Sequence, residues 1–252
     1  MPWRDWRYGT SKPRGPASLV LLGAWVAVEL RVTDPLIDLR AASRRAVAPL
    51  YLASLPIGVA FFGATTATTT FMAASNHVAG YGFGLDVTAL AYVGLATTTT
   101  IVLGAMVVPR LVKRVGHEPA VYSACAAMFA GYTGLAAWHG ALWQVIAASS
   151  VSSFGMGLIA SAMAVVLTER ASTASTGISV GLYITVRAIG GSLAGAGFAA
   201  LLTRATIAGT VIPREWAYVA VWLTCGLASL LSLLIVAAAR LNRSAKPGRN
   251  PA

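Results

Sequence analysis

Charge is what this sequence has least of, and acidic charge above all: 252 residues hold 8 Asp and Glu against 19 Lys and Arg, 11% together. A soluble domain carries roughly a quarter charged residues, so this scarcity excludes a water-soluble globule. A hydrophobic content of 57% excludes a disordered chain as well. Cysteine is nearly absent: Cys125 and Cys225 each sit in an apolar run and make neither a disulfide framework nor a zinc site. They read as small packed hydrophobes. No metal site and no cofactor is expected.

The net charge is +11, and most of the basic residues fall in three places: the first fifteen positions, the stretch Arg31 to Arg45, and the tail after Ala239. A nucleic-acid groove binder mixes Lys and Arg with polar residues along one face; nothing of that kind is present, so nucleic acid is not an expected partner. The lipid bilayer is.

What the sequence does have is long uncharged runs. A bilayer core of about 30 Å takes roughly 20 apolar residues at about 1.5 Å each. Ala46 to Leu85 is free of Lys, Arg, Asp and Glu and breaks up at Ser75-Asn76-His77 and Gly80-Tyr81-Gly82-Phe83-Gly84. Val87 to Pro109 is a further run, with Asp86 placed to cap its start. Pro119 to Thr168 is too long for one span and turns back at Trp138-His139-Gly140. Gly177 to Leu202 and Trp216 to Ala239 complete the set. The expected fold is an all-α polytopic membrane bundle with six transmembrane helices near 48–73, 88–109, 119–137, 142–167, 177–202 and 216–239, and a partial helix at 16–30. The implied organisation is a basic segment 1–15, the short or partial membrane helix 16–30, a cytoplasmic linker 31–47, the six-helix bundle 48–239 and a basic cytoplasmic tail 240–252.

Connectors on one side carry twelve basic residues (Arg31, Arg40, Arg44, Arg45, Arg110, Lys113, Arg114, Arg170, Arg240, Arg243, Lys246, Arg249), those on the other only Arg204 and Arg214. The positive-inside rule places the first set and the C-terminus in the cytoplasm of a multi-pass plasma-membrane protein, with Trp138, Trp143, Trp216 and Tyr218 at the outer interface. The basic N-terminus runs against this rule if 16–30 spans the membrane.

Several residues carry function or packing. Arg187 lies deep in its helix, where an unpaired charge costs at least about 2.5–3.5 kcal/mol. It reads as a cavity cation or as a structural Arg bonded to helix carbonyls. Tyr183, Arg187, Gly191 and Gly195 follow at four-residue spacing, and Gly177, Gly181, Gly191 and Gly195 are expected at helix contacts. Thr65, Thr66, Thr68, Thr69 and Thr70 with Thr97 to Thr100 form two threonine clusters. Thr65 and Thr69 are candidate pathway residues with Tyr183, Arg187 and Gln144, although a helical Thr more often bonds its own backbone. Ser149, Ser150, Ser152 and Ser153 read as interhelical glue, Gly155 and Gly157 as close contacts, Pro56 as a kink. Gly177-Ile178-Ser179-Val180-Gly181 spells the nucleophile-elbow pattern G-x-S-x-G. Opening a membrane helix, with His77 and His139 at the opposite end, it reads as packing, and no enzyme is expected.

The passage from Val28 to Arg40, the stretch Gly80 to Leu85, and Gly177 to Gly195 with Val186-Arg187-Ala188-Ile189-Gly190-Gly191-Ser192 resemble the second half of a major facilitator superfamily transporter. The likeness is to the fourteen-helix multidrug/proton antiporter branch: its cytoplasmic linker, an outer loop and the penultimate helix. Leu111, Arg114 and Gly116 match the superfamily loop G-x-L-x-D-R-x-G, in which Pro109 and Lys113 stand for the first Gly and the Asp. The resemblance implies secondary active efflux of small amphipathic compounds by alternating access. It also implies a small-molecule substrate and a first bundle, or partner half, not contained in these residues. The alternatives are a non-transporting membrane subunit and a rhomboid-like intramembrane serine protease.

Overall fold

A computed structural model describes residues 48–170, 176–207 and 209–244. The expected helix 16–30, the linker and the tail beyond residue 244 lie outside these. Among the described residues there are seven α-helices: α1 Ala48–Ala73, the short α2 Asn76–Ala79, α3 Val87–Val115, α4 His117–Ala137, α5 Leu142–Arg170, α6 Thr176–Arg204 and α7 Glu215–Ser244. The six others, all but α2, are long and apolar enough to cross a membrane.

The starts follow from local chemistry. Asp86 accepts from the Ala89 N–H at 3.0 Å and caps α3. The α4–α5 hairpin turns at Trp138-His139-Gly140, as its composition requires. Pro56 sits inside α1 without ending it. Pro109 likewise does not end α3, which runs on to Val115, so the sequence-based boundary at 109 is too short. The helix stops instead at Gly116, whose φ of 88° places it in the left-handed region. The expected loop of Leu111, Arg114 and Gly116 is therefore the last turns of α3 plus one break: Leu111 packs against the core, and Arg114 is exposed.

Packing runs in an arc. α3 lies on α5, α5 on α4, α4 on α7, α7 on α1, and α1 on α6. The two ends of the arc, α3 and α6, are the least buried spans, at 17% each, against 61% for α5. One end of the bundle is basic, with Arg110, Lys113, Arg114 and Arg240. There His117 contacts Glu169 at 3.1 Å and Arg240 pairs with Glu118 at 3.3 Å, tying α4 to α5 and α7.

The opposite end is aromatic. Gly80, Gly82 and Gly84 all have positive φ, and a Cβ on Gly82 would strike the carbonyls of Phe71 and Ala74. That turn folds Tyr81 inward onto Phe71, with ring centroids 5.2 Å apart. Phe71 also packs against Phe83, His139, Tyr218 and Trp222. The Tyr81 hydroxyl donates to the Pro213 carbonyl at 2.5 Å. Burial, then the Tyr218 and Glu215 side chains, push its pKa up, so it remains a donor. His139 lies 2.9 Å (Nδ1) from the Leu135 carbonyl and 3.1 Å (Nε2) from Glu215, fixing the hairpin to the start of α7.

Candidate functional site

Small residues decide where helices can touch. A Cβ on Gly157 would collide with the Ile101 carbonyl and one on Gly104 with the Phe154 carbonyl, so α3 and α5 cross backbone to backbone. Gly155 faces Met128 and Ala124 on α4. Between α1 and α6 the same device recurs: Gly58 lies against the Arg187 carbonyl and Gly190 against that of Leu55. Of the four glycines expected at contacts, Gly191 packs against Phe62, whereas Gly177, Gly181 and Gly195 meet nothing within 4 Å. For Gly195 the reason is geometric. Four residues turn about 40° past a full helical turn, so the row from Tyr183 to Gly195 winds from a fully buried face to an exposed one.

Arg187 fills a notch in the α1–α6 seam. Its guanidinium carbon stands 4.5 Å over the Phe61 ring, 5.7 Å from that of Phe62 and 5.2 Å from that of Tyr183. Its Nη1 lies 3.4 Å from the Tyr183 hydroxyl, and its Nε is buried without a partner. Among the described residues it neither bonds helix carbonyls nor pairs with an acid. Cation–π contacts return about 0.5–2 kcal/mol each, which offsets part of the cost of the buried charge.

A separate cavity of about 220 Å³ opens between α1, α3 and α5. Apolar walls come from Leu90, Ile101 and Met156; Thr65, Thr68, Thr69, Thr97, Thr98, Ser149, Ser152 and Ser153 supply hydroxyls. At about 1.5 Å per residue, Ser149 lies about 10 Å and Thr98 about 17 Å below the aromatic end. Some hydroxyls are spent on their own helices, as helical Thr and Ser tend to be: Thr69 bonds the Thr65 carbonyl at 3.0 Å, Thr97 that of Val93 at 3.1 Å, and Ser152 that of Ser149 at 2.9 Å. Thr68 accepts from Trp222 Nε1 at 2.9 Å, linking the cavity to the aromatic cluster.

Ser149 is different. It is 8% exposed and its Oγ is buried without a partner, a state that costs about 1–3 kcal/mol. The expected interhelical bond for it is not made. Thr65, Thr98 and Ser153 also make no side-chain hydrogen bond among the described residues. The clustering of threonines was legible in sequence; the convergence of Ser149 and Ser153 on them was not.

The five pathway candidates thus fall in three places. Thr65 and Thr69 line the hydroxyl cavity, and Tyr183 and Arg187 occupy the α1–α6 seam. Gln144 belongs to neither: its Oε1 accepts from the Ala141 N–H at 3.0 Å, capping α5. It borders an apolar groove of about 490 Å³ beside Trp138 and Trp143. Ser179 lies in the first turns of α6, where its carbonyl accepts from Tyr51 at 3.3 Å. This is a helix and not the strand-to-helix turn that a nucleophile elbow requires.

The sequence pattern of the Major Facilitator Superfamily matches residues 9–195. The chain belongs to the Major Facilitator Superfamily. Its fold resembles that of a solved structure: a crystal structure of the nucleoside transporter NupG superposes with a TM-score of 0.66 at 13% sequence identity, over 92% of this chain and 54% of that one. The chain thus spans about half the length of the structure it matches. No curated protein matches it by sequence. As a superfamily member with six helices long and apolar enough to cross a membrane, it is a multi-pass membrane protein, and the cavity and the seam are where its polar side chains gather between helices.

Proposed function

We propose that the chain is one six-helix bundle of a secondary active transporter that exports small amphipathic compounds by alternating access. In this reading a second bundle packs against it, from another chain or from a longer form of this one, with the C-terminus in the cytoplasm and the assembly in the plasma membrane. The observation that carries the proposal is the cavity between α1, α3 and α5, with uncommitted hydroxyls at membrane depth beside apolar walls. Sites of this kind near the midplane, worked by rocking one repeat against another, are how such folds move solutes. The lightly buried α3 and α6, and the open glycines Gly181 and Gly195, support a facing bundle.

The acids among the described residues argue that this chain does not couple protons by itself. Asp86, Glu118, Glu169 and Glu215 all stand at helix ends, and mid-membrane carboxylates are what proton relays use. The purified chain in liposomes is therefore expected to give no uptake above empty vesicles under an imposed proton gradient, and native gels of its own membranes are expected to show a complex larger than the monomer. Gradient-driven transport by the isolated chain, or a monomer in native membranes, would overturn the two-bundle reading.

A further inference from the structure

We infer that the cavity between α1, α3 and α5 is a subsite for an uncharged hydrogen-bonding group, such as an amide or hydroxyl at one end of the solute, with Ser149 as the residue that waits for it. The inference deepens the transport-pathway reading and rests on it. Two independent observations support it. The lining residues include no Asp, Glu, Lys, Arg or His. Ser149, 8% exposed, lines the cavity, and its Oγ is buried without a partner. Ser54, Ser152 and Ser229, by contrast, each donate to a carbonyl three or four residues back.

The chemistry of the walls sets the class of ligand. A hydroxyl donates one hydrogen and accepts at two lone pairs. Ser149, Ser153, Thr65 and Thr98 can therefore meet a group that both gives and takes hydrogen bonds. Thr68 accepts from Trp222 and keeps its own hydrogen to donate. An ion would leave its hydration shell with no counter-charge in return, so charge is selected against. The volume of about 220 Å³ is below the roughly 300–1,000 Å³ of pockets for drug-sized ligands. It suits a small solute, or one end of a larger one.

Benzamide, benzoate and benzamidine share a shape and differ in charge, which makes them suitable probes. With the full chain in nanodiscs, benzamide is expected to bind by calorimetry at least about tenfold more tightly than either ion. Ser149→Ala is expected to weaken benzamide roughly threefold to tenfold, while the melting temperature without ligand stays level or rises, because no protein bond is lost. Equal binding of the three probes, affinity unchanged in Ser149→Ala, or a fall in the ligand-free melting temperature would overturn the subsite. If benzamide binds selectively through Ser149 but Ser149→Val leaves transport in native membranes unchanged, the subsite stands and the pathway reading fails.

Discussion

Arg187→Ala and Arg187→Gln are expected to lower transport in native membranes at least tenfold, with the amount of inserted protein unchanged. The guanidinium lies about 16 Å into α6 at about 1.5 Å per residue, held by the faces of Phe61, Phe62 and Tyr183 and one long contact to the Tyr183 hydroxyl. A buried Nε without a partner, and no acid among the described residues to pair with, leave the charge under-compensated. An anionic group on the solute, or an acid on a facing bundle, would complete it. Hydrogen bonds to charged groups contribute about 1.5–3 kcal/mol, which corresponds to roughly tenfold to a hundredfold. Arg187→Lys keeps the charge and loses the planar fork, so it should retain part of the activity. Full transport by Arg187→Ala would confine the residue to packing.

Gly58→Val is expected to have the largest effect on folding. A Cβ at Gly58 would run into the carbonyl of Arg187, and Gly190 meets the Leu55 backbone in the same way across the seam. Both elements are helical backbone, so neither can yield locally, and overpacking of a well-packed contact costs typically about 1–3 kcal/mol, occasionally more. α6 has little else to hold it, because its main packing is against α1. The variant should lose yield and melt several degrees lower in detergent by fluorescence-detected size exclusion. Gly195→Ala, where an added Cβ meets nothing within 4 Å, is the control and should melt with the wild type. A Gly58→Val protein as stable as wild type would contradict the close α1–α6 crossing.

These two positions show what a sequence can and cannot yield here. Arg187 announces itself, since a charge in an apolar run is rare enough to be noticed at once. Gly58 does not: one glycine among many in a membrane helix carries no mark that a neighbour 129 positions later will press against it. The helices themselves were legible, because bilayer thickness, the Asp86 cap and the Trp138-His139-Gly140 turn are local facts. An end of α3 at Pro109 falls short of the observed Val115 because proline is a weaker stop than a left-handed glycine when the helix around it is otherwise supported. The four-residue spacing of Tyr183, Arg187, Gly191 and Gly195 suggests one shared face, but the helix's own period turns Gly195 out of contact with the described helices while Gly191 packs against Phe62. The serine run suggests glue between helices, whereas the structure buries the Ser149 hydroxyl at the cavity wall without a partner. In each case what was missed is a relation between distant segments, set by packing.

The central claim is that the hydroxyl-lined cavity is part of a water-filled path that opens to each side in turn. Thr98→Cys, in a chain with Cys125 and Cys225 replaced by Ala, tests it most directly through labelling by a membrane-impermeant thiol reagent in right-side-out and inside-out native vesicles. The account predicts labelling from both sides, with the balance between them shifted by a transported solute. Labelling only by a lipid-soluble maleimide, or from one side whatever solute is present, would contradict it.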